Sequence, residues 1–573
     1  MTIEHSNRWP SIHRRDLLAV AAALPVSIAA GRALANAADA EPIPLSPAHH
    51  DVVNRRRRIA VQFDAMSNPG GILGMDIDEW VAYRFNYFDE PVTQIDSVWW
   101  DVNALGYAVY PSQVLQPLAH SGLQKWRDAG VDWVGRFVAE TKKRNLECFW
   151  SHRLSEVEVT EKGAAWGGDA HPIKQAHPDW VIKGTWWEQG LWNLAVPEVR
   201  GHVVSILREL AANYDFDGFQ IDFARHIPCL PPPRQWALRG HVTVFLRDVR
   251  LMLQEVAAGR GRPILLAARF PRSLDGCRVD GFDIAEWSRQ NLVDVLTLGT
   301  RSADVDIDGF RRATAGRNIK LQPCIDGHHA IDAYQYPPIE IYRGLASNWW
   351  QQGADSLITF NWSNAAAELG DALGAQHTPP SQQIAYHEIG SPRSLHLKDK
   401  TFIVERRGGY PWAEGYCNRN DDSPLPIEIP TDDGYLDVDV RIGDRVAVLA
   451  ERIDRVLLRL VLHGLLSDDA IEARLNDRLL TETERDAEWK DYQIFYPRAQ
   501  PSSGGADHWK VDPNQRLTRV EFAVPPEQCS VDINRVRLAL NGPAPRNEPL
   551  RLEKLEVLVK YKGNDDGEMT NDE

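Results

Sequence analysis

The chain has 573 residues, with 64 Lys and Arg against 80 Asp and Glu, a formal charge of −16, 43% hydrophobic and 25% charged content. That balance excludes a mainly disordered chain and a basic nucleic-acid binder, and the length calls for two domains. Twenty Trp outnumber 16 Phe and 15 Tyr, a surplus that suggests flat apolar faces used for binding as well as for packing.

The first element in chain order is a targeting segment. Arg14-Arg15 precede an apolar stretch over residues 17–30, and Ala33-Leu34-Ala35 offers a small-x-small cleavage site. A twin arginine in that position reads as a Tat-type bacterial export signal over residues 1–35, so the mature protein is expected in the periplasm or outside the cell. The apolar stretch is too short to span a bilayer, and no later segment approaches that length. Residues 36–54 read as a Pro/Ala linker. The basic run 55–58 reads as a solvated entry to the first strand.

From residue 55 to about 375, short apolar runs alternate with amphipathic helical stretches. The runs are 59–63, 95–99, 146–150, 218–223, 264–268, 293–298, 319–325 and 356–360. Each has the length and continuous apolar character of a strand buried on both faces. Val199, Val203, Leu207 and Leu210, three or four apart, mark one of the intervening helices. Eight such repeats predict an α/β chain folded as a (β/α)8 TIM barrel. A doubly wound sheet is disfavoured because no glycine-rich phosphate loop follows the first strand.

From residue 385 to 562 the pattern becomes short strand-like runs, 436–442, 446–449, 456–462, 470–475, 519–522, 536–540 and 555–559, separated by Gly, Pro, Asn and Asp. That is the punctuation of an antiparallel β-sandwich, expected here as a structural cap on the barrel. Residues 563–573 form an acidic tail. The six cysteines show no CxxC pair or zinc spacing; a Cys229–Cys277 bridge is conceivable, buried thiols are the expectation, and neither metal nor cofactor is expected.

Catalytic groups of a barrel stand just beyond the C-terminal ends of its strands. The polar and aromatic residues there are Asp64, Trp100, Asp101, His152 and Arg153 with Glu156, Asp222 with Arg225 and His226, Arg269, Asp304 and Asp306, Asp326 with His328 and His329, and Asn361-Trp362. Carboxylates and arginines bind hydroxyls while indole faces stack on the C–H face of a sugar ring, so this rim suits a polyhydroxylated ligand. The sharpest site is Asp217-Gly218-Phe219-Gln220-Ile221-Asp222-Phe223-Ala224-Arg225. Asp222 emerges from a buried strand and, supported by a cation, suits a nucleophile or base at an anomeric carbon. A purely structural Asp–Arg pair is the alternative.

The stretch from His177-Pro178-Asp179-Trp180, through Asn193-Leu194 and Pro197-Glu198-Val199-Arg200, to Asp217-Gly218 and Asp222-Phe223-Ala224-Arg225 resembles the glycosyl-hydrolase-like family 10 group of bacterial barrels. Gly281-Phe282-Asp283-Ile284-Ala285-Glu286-Trp287, Asn291-Leu292-Val293-Asp294, and Gly353-Ala354-Asp355 with Phe360-Asn361-Trp362 extend the likeness over roughly residues 57–372. That group looks related to α-amylase and melibiase types of hydrolase, in which the carboxylate ending the fourth strand is the nucleophile; the resemblance places that role on Asp222. An amylase-like acid is wanted after strand five, yet that strand ends Ala267-Ala268-Arg269-Phe270-Pro271, and a guanidinium is a poor proton donor.

Asp326 and Glu156 are therefore the candidates for the acid, with Asp326 ranked first, and Glu286 is set aside as a helix-surface residue. Asp64, Trp100, Asp101, His152, Arg153, Arg225, His226, Arg269, His328, Asn361 and Trp362 are expected to bind substrate. Trp186-Trp187 is a further stacking candidate, and Trp349-Trp350 is assigned to the core. The resulting expectation is an exported glycoside hydrolase acting on a polysaccharide or complex glycan, without a nucleic-acid partner. The rivals are a non-catalytic glycan-binding barrel and a lyase acting on an anionic sugar.

Overall fold

A computed structural model describes residues 40–64, 76–101, 106–155, 157, 171–185, 187, 189–299, 301–326, 332–334, 336–362, 380–408, 420, 422–432, 434–491, 493–494, 512–541 and 548–563. Eight parallel strands close into a barrel in chain order: β1 (Ile59–Asp64), β2 (Ile95–Asp101), β3 (Glu147–Arg153), β4 (Gly218–Asp222), β5 (Leu265–Phe270), β6 (Val295–Leu298), β7 (Lys320–Asp326) and β8 (Leu357–Phe360). All eight expected runs are strands. Helices, among them Pro197–Asn213 after β3 and Gly240–Arg260 after β4, surround them.

Alternation along each strand divides its side chains between two cores. Trp100, Trp150, Phe219, Ile221, Leu266, Leu296 and Leu321 face the helices and belong to the main apolar cluster. Trp99, Phe149, Leu265, Val295, Ile358 and Phe360 fill the barrel. Phe149 stacks on Trp99 with ring centroids 4.4 Å apart. A Cβ at Gly218 would lie 2.2 Å from Phe149 Cε1, so the glycine is dictated by that ring.

A chain of side-chain hydrogen bonds crosses the same interior. Gln62 donates to Ser151 (3.0 Å), Ser151 to Gln220 (2.7 Å), Gln220 to Thr297 (3.0 Å), Thr297 to Gln322 (3.1 Å) and Gln322 to Ser356 (3.0 Å). Each of these buried groups thereby gains a partner that replaces water.

At the N-terminal end of the barrel, one aspartate at the start of every even-numbered strand fixes its odd-numbered neighbour. Asp96, Asp217, Asp294 and Asp355 accept the backbone N–H of Arg58, Cys148, Leu266 and Leu321 at 2.8, 2.8, 2.8 and 2.9 Å. Each also meets a cation: Arg58 (2.6 Å), Arg262 (2.8 Å), Arg250 (2.8 Å) and Arg311 (2.7 Å), respectively. The acids of the Asp217-Gly218, Asn291–Asp294 and Gly353-Ala354-Asp355 motifs thus hold strand register.

Two expectations at this end are corrected. The linker contains a helix, Pro47–Val53, whose Val53 enters the barrel-interior cluster. The basic run is not uniformly solvated, because Arg57 is buried and grips Glu147 with two bonds of 2.6 and 2.7 Å. A bidentate pair satisfies the charge that a closed barrel floor would otherwise penalise.

The barrel also runs past its expected end. Helix Pro380–Glu388 packs Tyr386 against Trp362, and the Tyr386 hydroxyl lies 3.2 Å from Thr359 Oγ1. The following domain is a sandwich. One sheet orders Lys400–Ile403, Arg551–Tyr561, Ile453–His463, Leu517–Ala523 and Thr481–Asp486; the other orders Tyr435–Ile442, Asp532–Asn541, Ala470–Leu475 and Arg478–Leu479. Val438, Val440, Leu458, Leu460, Val536 and Val557 from both sheets share one core. Residues 446–449, expected as a strand, form a turn. Cys148, Cys229, Cys277, Cys324 and Cys529 are buried thiols rather than disulfides. No helix among the described residues is long and apolar enough to cross a membrane.

Candidate active site

β4 delivers Asp222 to the C-terminal mouth of the barrel, where its side chain is fully buried. Asp222 Oδ1 accepts the Ala224 N–H at 2.9 Å, while Oδ2 faces Arg269 Nη1 at 3.5 Å. Arg269, next to last in β5, is in register with Asp222, and its guanidinium carbon sits 4.0 Å from the Phe360 ring centroid. Burial opposes the Arg269 charge, but Asp222, with Asp326 and Asp101 further off, outweighs it and raises the pKa. A permanent cation therefore stands beside one anchored and one loosely held carboxylate oxygen.

Two further pairs extend this pattern around the mouth. Asp101 on β2 accepts Gln62 Nε2 at 3.0 Å and Arg153 Nε at 3.1 Å, with Arg153 in register with Asp222. Asp326, ending β7, lies 3.0 Å from Arg301 Nε, and both are buried. A cavity beside this pair is lined by Arg301, Cys324, Asp326, Tyr334, Tyr342 and Trp349. Arg301 is the mouth residue that the sequence analysis missed. The sequence points instead to Asp304 and Asp306, yet Asp306 caps helix Ile307–Ala313 through the Gly309 N–H at 2.8 Å. A basic residue three positions beyond β6 was the available signal.

Other expected rim residues are placed elsewhere by strand alternation. Trp100 is no sugar platform: it faces the helices, stacks near Phe63 and Phe137, and donates to Thr141 at 3.3 Å. Trp362, two residues past the end of β8 and after the left-handed Asn361, lies buried between Tyr342 and Tyr386, with centroids 5.2 and 5.0 Å away. His152 points out of the barrel with Trp150 rather than into the mouth with Arg153. Burial, followed by the nearby His202, lowers its pKa to about 3. Trp349 is core, as expected, and Trp187 is buried too. Glu286 stays on its helix, paired with Arg289 at 2.6 Å.

His226 and Arg225 follow β4, and both are buried. His226 packs edge-on to Trp187 at 4.5 Å; burial, then Arg225 and Arg153, holds its pKa well below the usual imidazole range. His226 and Asn361, each just beyond a strand end, adopt φ of 62° and 59°. Left-handed backbone at non-glycine residues is unfavourable and concentrates at functional sites. Glu156, Trp186 and His328 with His329 lie outside the described residues, as does the side chain of Asp64. Among the described residues, no three His, Cys, Asp or Glu side chains converge as a metal site requires.

This mouth lies partly within a segment with known relatives. A family model described as glycosyl hydrolase-like 10 matches residues 86–228, which run from before β2 to beyond Asp222. Glycosyl hydrolase YngK of Bacillus subtilis (strain 168) is 28% identical over 96 residues, covering 17% of this chain and 18% of that protein. The chain therefore matches less than a fifth of that relative's length. Among solved structures, α-L-fucosidase isoenzyme 2 from Paenibacillus thiaminolyticus has a TM-score of 0.40 at 12% identity, covering 60% of this chain and 51% of that one. An α-amylase from Lactobacillus plantarum has a TM-score of 0.36 at 10% identity, covering 82% and 98%. Scores this low do not bear on activity.

Proposed function

We propose that the chain is a glycoside hydrolase acting on a polysaccharide or complex glycan, exported through its twin-arginine segment. The observation that carries this reading is Asp222: a fully buried carboxylate at the fourth strand end, one oxygen anchored by a backbone N–H and the other 3.5 Å from a permanent cation. The loosely held oxygen of such a group can attack an anomeric carbon or activate water. The glycosyl hydrolase-like match over residues 86–228 supports the same reading.

Protonation of the leaving oxygen falls to Asp326, or to Glu156 after β3. Arg153, Arg225, His226, Arg269 and Asn361 orient the sugar hydroxyls. No cofactor is invoked. A second reading, a glycan-binding barrel without turnover, draws on one observation: Arg269 fills the strand-five position where related hydrolases carry their acid.

Residues 36–573 and their Asp222→Asn variant would be incubated with a broad glycan panel that includes anionic polysaccharides, and products read by mass spectrometry. New reducing ends from the parent protein alone are the expected result. Equal product from both would remove Asp222 from the chemistry. Retention of a glycan without any product would favour the binding barrel, and unsaturated sugar products would indicate a lyase.

A further inference from the structure

The sandwich touches the barrel at the loops that build one side of its mouth. Glu405, two residues beyond the strand Lys400–Ile403, accepts the N–H groups of Ala303 and Asp304, both at 2.9 Å, with the same carboxylate oxygen. Its other oxygen accepts from Asn420 at 3.1 Å. Ala303 lies two residues after Arg301, and its carbonyl accepts from Trp349 Nε1 at 3.1 Å. The loop that presents Arg301 to Asp326 is therefore bonded by the sandwich on one side and by the helix after β7 on the other.

Residues 332–334, beyond Asp326 in the chain, also bond to the sandwich. Arg406 donates to Asp332 Oδ2 at 2.9 Å and to Glu553 Oε2 at 2.9 Å, with all three side chains buried. The Ala333 N–H donates to the Gln493 carbonyl at 3.0 Å, and the Tyr334 hydroxyl to Glu556 at 3.1 Å. Three consecutive barrel residues thus each bond to the sandwich. The loop after β5 joins them through Arg272, which pairs with Asp422 and lies 3.8 Å from Glu405. By contrast, Asp222 and Ala224 bond within the barrel alone.

We infer that the sandwich, through Glu405 and Arg406, sets the position of the Arg301–Asp326 pair, so that one side of the catalytic mouth is assembled on the second domain. Glu405 and Arg406 are positioning residues. They reach the chemistry through two loops, and the catalytic meaning of that tether rests on the hydrolase reading above. Side chains that orient a proton donor act by geometry, and a displacement of about 1 Å can cost on the order of 100-fold in turnover.

The test uses the full mature chain with Glu405→Ala, Glu405→Gln, Arg406→Lys and Ser347→Ala. Ser347 donates to Asp444 at 2.7 Å, so its variant perturbs the same domain contact away from the two loops. Hydrogen exchange read by mass spectrometry is expected to rise in peptides covering 301–306 and 320–334 for Glu405→Ala and Arg406→Lys. Peptides covering 218–226 should be unchanged, Glu405→Gln should largely restore protection, and Ser347→Ala should alter none of these segments. Unchanged exchange at 301–306 in folded Glu405→Ala would overturn the tether.

On a glycan that the parent protein cleaves, Glu405→Ala should lower kcat on the order of 100-fold, with KM within about twofold. The alkaline limb of its pH profile should shift, because that limb reports the group that must hold a proton. Raised exchange with kcat and the pH profile intact would overturn the positioning role. A parent protein that cleaves nothing would count against the hydrolase reading, while exchange would still decide the tether.

Discussion

The two ends of this barrel use the same residue type in opposite ways. At the N-terminal end, Asp96, Asp217, Asp294 and Asp355 each hold a neighbouring strand's N–H at 2.8–2.9 Å and a guanidinium at no more than 2.8 Å. At the C-terminal end, Asp222 binds one N–H of its own loop and meets its guanidinium at 3.5 Å. Close, saturated contacts spend the carboxylate on strand register. At Asp222 one oxygen is anchored at 2.9 Å and the other has only a 3.5 Å contact to its cation, which is the geometry the proposed chemistry needs. β4 shows both on one short strand, bracketed by Asp217 and Asp222.

Exchanging substitutions between the ends should separate these roles. Asp222→Asn is isosteric, keeps the bond to Ala224 and should lower turnover by about 10²–10⁴-fold, with a smaller loss of stability than Asp294→Ala; an equal or larger loss would make Asp222 a structural acid. Asp294→Ala should show the reverse. It strands Arg250 and also His49, whose Nε2 lies 2.9 Å from Asp294 Oδ1, in a closed barrel floor, at a cost of about 3–5 kcal/mol, measured by urea denaturation. Product formed per folded molecule should be preserved, and loss of activity at full folding would break the comparison.

Acid titration provides a third test. His152 is buried as the neutral imidazole, with its pKa lowered from 6.5 to about 3. Between those values the unfolded chain binds a proton that the folded chain refuses, so stability falls as pH drops from 6.5 towards 3 and is fully present above 6.5. The slope contributed is about 1.4 kcal/mol per pH unit, and His152→Gln should flatten it by that amount in denaturation curves. An unchanged slope would show that His152 takes up its proton within the fold.

The smallest effect is expected at Trp100. Trp100→Phe removes the bond to Thr141 and part of the ring, so it should cost about 1–2 kcal/mol and leave product yields unchanged. A selective loss of glycan affinity would return Trp100 to the site.

All eight barrel strands were legible because a strand buried on both faces must be a short continuous apolar run, whatever surrounds it. Asp222 was legible for a related reason, since an acid directly after such a run has to be carried by a cation or used. Trp100 and His152 were misplaced because adjacent residues at a strand end face opposite sides, and Trp362 because the left-handed Asn361 turns the chain just after β8. One step in the alternation separates Trp100 from Asp101 and His152 from Arg153, and the sequence carries no mark of which residue turns inward. Arg301 was missed because its importance lies in reaching Asp326 from the loop after a different strand.

The sequence by itself determined the order of elements, the two-domain architecture and the carboxylate at the fourth strand, since local apolar runs and turn residues encode all three. Only the tertiary structure decided which aspartates lock strands and which one meets its cation at longer range at the mouth. It alone brought Glu405 and Arg406, some eighty residues beyond Asp326 in the chain, onto Ala303, Asp304 and Asp332. Hydrogen bonds and ion pairs depend on distance in space, and barrel closure brings together groups whose separation along the chain says nothing of their meeting.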